Sequence, residues 1–306
     1  METEILARVQ FALTIAFHYI YPPLSIGLGL LMVVFKGIYL RTGKKEYDTL
    51  ARFWTRIFSL TFGLGVATGI VMEFEFGTNW ATYSRYVGDI FGSALAAEGV
   101  FAFALESTCL GIVLFGWKKV KPIWHFLATL GVFLGSMCSA IWIVIANSWQ
   151  QTPAGYVVAG EGLQAKAVIT DFWAMVFNPS SVDRIWHVWQ WAFLAGIFLV
   201  LSVHAWYLLK GRHVEISKKA FRVTLIIATV VCLLQLVSGH SSADGVAQNQ
   251  PEKLAAMEGH FQTGPADLYL FGWVDKQNEV THGVKIPNGL SYMIHYDTAA
   301  PVTGLD

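Results

Sequence analysis

The sequence predicts an all-α fold, a polytopic transmembrane helix bundle of six spans. Three observations predict it. Of 306 residues, 55% are hydrophobic and 14% charged, with a mean hydropathy of +0.50, a balance foreign to soluble domains. Six apolar windows each reach about 20 residues, the length that crosses the hydrocarbon of a bilayer. The Lys and Arg gather in alternate connections between those windows, as they do in a chain that threads a membrane with its basic loops on one side.

The first span is placed near residues 12–35. The stretch before it, Met1-Glu-Thr-Glu-Ile-Leu-Ala-Arg, is acidic where a cleaved signal is basic, and the apolar run is too long for a signal, so the span is expected to stay. The second span is placed near 53–72, the third near 91–116, the fourth near 123–146, the fifth near 186–209 and the sixth near 221–239. Between the first and second lie Lys36, Arg41, Lys44, Lys45, Arg52 and Arg56; between the third and fourth, Lys118, Lys119 and Lys121; between the fifth and sixth, Lys210, Arg212, Lys218, Lys219 and Arg222. These are two thirds of the chain's 21 Lys and Arg. By the positive-inside rule their loops face the cytoplasm, so both termini face outward.

Residues 1–239 therefore form the transmembrane bundle. Residues 240–306, polar and rich in Gly, Pro, Asp and Asn, form an outer-face segment in which Pro251 opens a short helix. A net charge of zero and short basic clusters argue against a nucleic-acid partner. Cys109, Cys138 and Cys232 lie inside apolar runs at no metal-binding spacing and read as small core residues.

Ionisable groups inside apolar spans are costly unless paired or liganded, so they direct the search for function. His18 lies in Ala-Phe-His-Tyr-Ile-Tyr-Pro-Pro, and His187 in Arg-Ile-Trp-His-Val-Trp-Gln-Trp at a comparable depth. A lone His in an apolar helix is commonly a hydrogen-bonded core residue; a pair amid Trp and Phe also suits axial ligation of a haem, while Trp186, Trp189 and Trp191 also fit an interfacial belt. His204 reads as structural. Glu98 and Glu106 share the third span, about 12 Å and about 80° apart on an ideal helix, so both can line one interior wall as a proton relay that Ser139 of the fourth span extends. The alternative is carboxyls capped by Ser107 and Thr108. The stretch from Met72 to Trp80 reads as a solvated interfacial turn, and Lys253 and Glu258, on spacing alone, as surface charges.

Several strings resemble one family: Gln10-Phe-Ala-Leu-Thr, Gly65-Val-Ala-Thr-Gly, Met72-Glu-Phe-Glu-Phe-Gly-Thr-Asn-Trp, Tyr86-Val-Gly-Asp-Ile-Phe-Gly, Glu106-Ser-Thr and Lys253-Leu-Ala-Ala-Met-Glu. They run in order along the whole chain and resemble subunit I of the cytochrome bd quinol oxidases. The resemblance implies an enzyme of the bacterial cytoplasmic (inner) membrane that oxidises ubiquinol or menaquinol at the outer face. It reduces O2 to water with haem b558, haem b595 and haem d, beside a subunit II and a small single-span subunit.

By the same resemblance His187 ligates haem b558, His18 ligates a high-spin haem, Glu98 stands beside the high-spin pair as a ligand candidate, and Glu106 and Ser139 carry protons from the cytoplasm. Lys253 and Glu258 bind quinol, which overturns their reading as surface charges. Members of the family continue with three further spans, bringing a methionine ligand, a glutamate ligand and a Gly-Arg-Gln-Pro-Trp motif that this sequence does not contain. The expectation is therefore a fragment, or a chain completed by a separate polypeptide, and inactive alone. Competing readings are a non-catalytic assembly partner, a haem-b membrane anchor and a proton-coupled transporter.

Overall fold

The computed structural model describes residues 3–306. Eleven α-helices and two small hairpins follow in order: α1 (Thr3–His18), α2 (Tyr21–Thr42), α3 (Lys45–Gly77), α4 (Ala81–Ala97), a π-helical segment (Glu98–Phe103), α5 (Ala104–Phe115) and α6 (Pro122–Gln151). After these come β1 (Tyr156–Ala159), β2 (Lys166–Ile169), α7 (Phe172–Val176), α8 (Ser181–Leu209), α9 (Val214–Asn249), α10 (Pro251–Glu258), β3 (Leu268–Asp275), β4 (Val280–Ile286) and α11 (Gly289–His295). Six stretches are long and apolar enough to cross a membrane: Thr3–Thr42, Lys45–Gly77, Ala81–Phe115, Pro122–Gln151, Ser181–Leu209 and Val214–Asn249.

Local chemistry sets the breaks. Pro22 and Pro23 start α2 just past Tyr19 and Ile20, and Pro122 starts α6, each at a position where a missing N–H costs nothing. α2 stops at Gly43, whose φ of 68° is a left-handed cap that glycine adopts without strain.

The main core fills the space between α2, α3, α6, α8 and α9, with Leu28, Phe35, Trp54, Phe58, Val132, Ile197 and Val200 buried together. α2 crosses α8 at two glycines: a Cβ on Gly27 would lie 2.5 Å from the Ala192 carbonyl oxygen, and one on Gly196 would lie 2.4 Å from the Gly27 carbonyl carbon. Small residues at such a crossing let the backbones touch, which is how helices associate when lipid supplies no hydrophobic drive. α1 packs on α3 and contains no buried residue.

Three expectations are corrected. The stretch from Met72 is helical through Gly77, and the turn is confined to Thr78–Trp80; Trp80 is buried and its indole N–H donates to Gln10 Oε1 at 2.9 Å, tying α3 to α1. The sixth span, α9, continues past Gly239 to Asn249, where Ser241 donates to Asp183 Oδ1 at 2.9 Å and so finds a partner on α8. Lys36 is not a loop residue: at 3% exposure on α2 it donates to Asp48 Oδ1 at 2.9 Å and sits 4.2 Å from the Trp117 ring, on which Arg52 also stacks at 4.2 Å. Cys109, Cys138 and Cys232 are half-buried and free, and Cys109 packs against the main core.

The connections 43–44, 116–121 and 210–213 lie at one end of the bundle, and both hairpins and residues 250–306 at the other. β1 and β2 pair antiparallel, and the N–H of Ile169 donates to Asp89 Oδ2 at 2.7 Å, fastening that hairpin to α4. β3 and β4 pair from Leu268↔Ile286 to Asp275↔Val280, and Leu254, Ala266, Leu290 and Val302 form a small core beneath them.

Candidate functional site

The buried carboxyls are organised by the fourth long helix, α6. Ser136 donates to Glu106, and Ser139 donates to Glu98. Glu106 is 5% exposed and Glu98 half-buried. Two serines three residues apart, about 4.5 Å along one helix, thus engage carboxyls that are eight residues apart on the other. The π-helical segment makes this possible: it holds an extra residue per turn and turns Glu98 and Glu106 toward α6 together.

Gly135 completes the contact, since a Cβ there would lie 2.9 Å from Glu106 Cβ. Ser107 and Thr108 do not cap the carboxyls; their hydroxyls donate back to the Ala104 carbonyl at 3.4 and 2.7 Å. A hydroxyl between or beside carboxyls donates to one and accepts from the next, so the set can hold and pass protons.

The histidines separate into two kinds. His18 Nδ1 is 2.9 Å from Thr68 Oγ1, and Gly69 leaves room beside its Cε1, where a Cβ would stand at 3.4 Å. His187 Nδ1 is 3.0 Å from Ser238 Oγ, with the Gln235 amide nitrogen 3.2 and 3.1 Å from its two ring nitrogens. Ser238 in turn donates to Gln190 Oε1 at 2.9 Å. His204 is spent on structure, accepting from the Trp54 indole at 3.2 Å and contacting Ser217 at 3.2 Å. His125, absent from the sequence reasoning, is 2% exposed and stacks on Trp117 with ring centres 4.0 Å apart. Its position three residues past the helix-opening Pro122, beside Trp124, is the only sequence signal for it.

At the opposite end of the bundle from the basic loops, Lys253 on α10 donates to Gln151 Oε1 at 2.7 Å and lies 3.4 Å from Gln250 Oε1. Burial first, and then the charge of Arg184, hold its ammonium below the usual lysine range. Glu258 is half-buried, its carboxyl raised by that burial, with no hydrogen-bond partner among the described residues. Five residues apart on one short helix, Lys253 and Glu258 point about 140° apart, so the structure places them on one element without bringing their side chains together. A cavity of about 240 Å³ lined by Asp244, Leu254, His295 and Val302 adjoins α10, but neither of them lines it.

A sequence model of the family described as cytochrome bd terminal oxidase subunit I matches residues 6–306. The chain belongs to that family. It is 42% identical over 303 residues to cytochrome bd-II ubiquinol oxidase subunit 1 of Escherichia coli (strain K12), covering 98% of this chain and 59% of that protein. It is 36% identical over 308 residues to cytochrome bd ubiquinol oxidase subunit 1 of Bacillus subtilis (strain 168), covering 100% of this chain and 65% of that one. The chain thus spans roughly three fifths to two thirds of the length of these relatives. Among solved structures, the bd oxidase from Geobacillus thermodenitrificans superposes with a TM-score of 0.91 at 33% identity, over 98% of this chain and 69% of that one. The six-span helical bundle has the fold of the matched 69% of that solved chain.

The residues present fit the haem that membership of this family implies. His18 and His187 each direct Nδ1 to a hydroxyl, the kind of outer contact that would fix the orientation of an imidazole holding iron through its other nitrogen. Gln190 Nε2, Gln235 Oε1 and Glu75 Oε2 are buried without a partner among the described residues, which is uncommon in a finished core and marks space where a polar group belongs.

Proposed function

We propose that this chain is the haem-bearing, quinol-oxidising subunit of an electrogenic quinol:O2 oxidoreductase. The observation that carries the reading is the pairing of Glu98 with Ser139 and of Glu106 with Ser136 inside an apolar bundle, because buried carboxyls with hydroxyl partners serve a proton route rather than stability. The paired order of His18 and His187 supports it.

In this reading the basic loops face the cytoplasm and the N-terminus faces outward. Ubiquinol or menaquinol binds at Lys253 and Glu258 on the outer face and gives up two electrons and two protons, the protons going to the outer water. Reduction of one O2 takes four electrons and four protons and yields two waters. Those protons come from the cytoplasm through Glu106 with Ser136 and Glu98 with Ser139, so charge separates across the membrane without a pump. His187 would hold haem b558 and His18 one of haem b595 and haem d. Haem held by these residues would supply one-electron chemistry and the site of dioxygen reduction. The partners are a subunit II, a small single-span subunit and the bilayer.

Reduced-minus-oxidised visible spectra of the assembled complex test the assignment. His187→Ala is expected to remove the low-spin b-type band while the high-spin bands remain; an unchanged low-spin band would refute the ligand role. Glu106→Gln is expected to lower oxidase turnover about a hundredfold or more with all haem bands retained, and unaffected turnover would take Glu106 out of the proton route.

A further inference from the structure

Two cations at the outer end of the bundle share one neutral acceptor. Gln250 Oε1 lies 3.5 Å from an Arg184 terminal nitrogen and 3.4 Å from Lys253 Nζ. The amide cannot turn away, because its Nε2 donates at 3.2 Å both to the Gln151 carbonyl and to Gln151 Oε1. The other acceptors are also amide oxygens: Asn147 Oδ1 at 3.5 Å from Arg184, and Gln151 Oε1 at 2.7 Å from Lys253. No carboxylate pairs with either cation among the described residues.

Both contacts of Arg184 stand at the outer limit for a hydrogen bond, so most of its five donors are uncommitted. Two half-buried like charges facing one carbonyl oxygen repel, and an oxygen-bearing ligand that develops negative charge relieves that repulsion. Position supplies the second argument. Arg184 precedes His187 by three residues on α8, which places it one turn outward on the same face, about 4.5 Å along the axis. Arg184 thus shares an acceptor with Lys253 and a helix face with His187.

We propose that Arg184 is a positioning residue of the quinol site, a second cation that hydrogen-bonds a headgroup oxygen and seats the ring above His187. The proposal rests on the reading of Lys253 and Glu258 as quinol-binding. When the hydroquinone becomes quinone it releases two electrons toward the His187 side and two protons to the outer water. The guanidinium stays protonated throughout and stabilises the headgroup oxygen as its proton leaves.

The test uses the assembled oxidase in detergent and in native membranes, with a short-chain quinol for turnover and its oxidised form for equilibrium binding. Arg184→Gln is expected to raise KM for quinol and Kd for the quinone about tenfold or more, chiefly in KM rather than kcat. Its loss with quinol should exceed its loss with a reduced dye that bypasses the site by a similar factor. Arg184→Lys should recover part of the affinity, and Arg184→Gln combined with Lys253→Gln should cost less than the product of the single effects, because both touch one ligand.

Thermal melting of each variant separates misfolding from lost binding, and Arg184→Lys carries the test where Arg184→Gln melts early. If Arg184→Gln leaves KM and Kd unchanged while Lys253→Gln raises them, the proposal falls and the quinol reading stands. If Lys253→Gln and Glu258→Gln leave them unchanged too, the quinol reading falls and takes the proposal with it. If Arg184→Gln alters only the stabilisation given by phosphatidylglycerol vesicles, the site belongs to a lipid phosphate and the proposal is overturned.

Discussion

Gly27→Ala at the α2–α8 crossing should be among the most damaging single-methyl additions in the protein. The new Cβ would stand 2.5 Å from the Ala192 carbonyl oxygen and 2.7 Å from the Gly196 nitrogen, against ordinary contact beginning near 3.4 Å. Every obstructing atom is backbone, so no rotamer change relieves the clash and the helices must part by about 1 Å. A gap of that size forfeits a quarter to a half of each neighbouring contact, and Leu28, Leu31, Ile197 and Val200 lie in the core beside it. Overpacking of this kind costs about 3 kcal/mol at the upper end of its range, offset by about 1 kcal/mol from the better helix propensity of alanine. The net is about 2 kcal/mol, a shift of roughly thirtyfold in the folded-to-unfolded ratio. Titration with sodium dodecyl sulfate from mild-detergent micelles, followed by tryptophan fluorescence, measures it. Gly63→Ala and Gly111→Ala are the controls, since a Cβ at either meets nothing within 4 Å, and both should be neutral or stabilising. A Gly27→Ala protein as stable as the parent, or a Gly63→Ala protein equally destabilised, would refute the reasoning.

His204→Leu should cost about 1–3 kcal/mol, because the buried Trp54 N–H loses its acceptor, and should leave every haem band in place; a missing band would make His204 a ligand. Asp267 is raised by burial but lowered further by the Lys285 ammonium and the Asn288 N–H, so it sits below the usual aspartate value. Its contribution is then complete above about pH 4 and fades as pH falls through the lowered native value; hydrogen exchange across residues 268–286 should quicken at low pH beyond the intrinsic rate, and Asp267→Asn should abolish the difference. Lys253, lowered by burial and then by Arg184, should lose its proton, and quinol its affinity, below the ordinary lysine value of about 10.4. In Arg184→Gln that alkaline limb of KM should move to higher pH, and an unmoved limb would contradict the coupling.

Span number and the grouping of basic loops were legible because hydropathy sums over twenty residues and tolerates local error. Helix ends were not, since the continuations to Gly77 and Asn249 depend on single partners, Gln10 for Trp80 and Asp183 for Ser241, that no window senses. Within the site, Glu98, Glu106, His18 and His187 were visible as ionisable residues in apolar runs. Their neighbours were harder: Ser139 entered as a possible extension of the relay and through the family resemblance, and Ser136 was missed because a serine carries no penalty that marks it. Arg184 escaped notice because it reads as an ordinary charge at a span's end until Gln250 is seen to face it together with Lys253.

The π-helical segment Glu98–Phe103 makes the relation between the two carboxyls a matter of residue count. Removing one residue from 99–103 would restore an ordinary α-helix and keep every chemical group discussed above. Glu98 and Glu106 would then be seven α-helical residues apart, about 700° of turn and so within about 20° of one face, which leaves Glu98 toward Ser139 and Glu106 toward Ser136. A one-residue deletion in this stretch should therefore be borne far better than one between Ser136 and Ser139 on α6, where no wide turn absorbs the lost residue and the two hydroxyls part by about 100°.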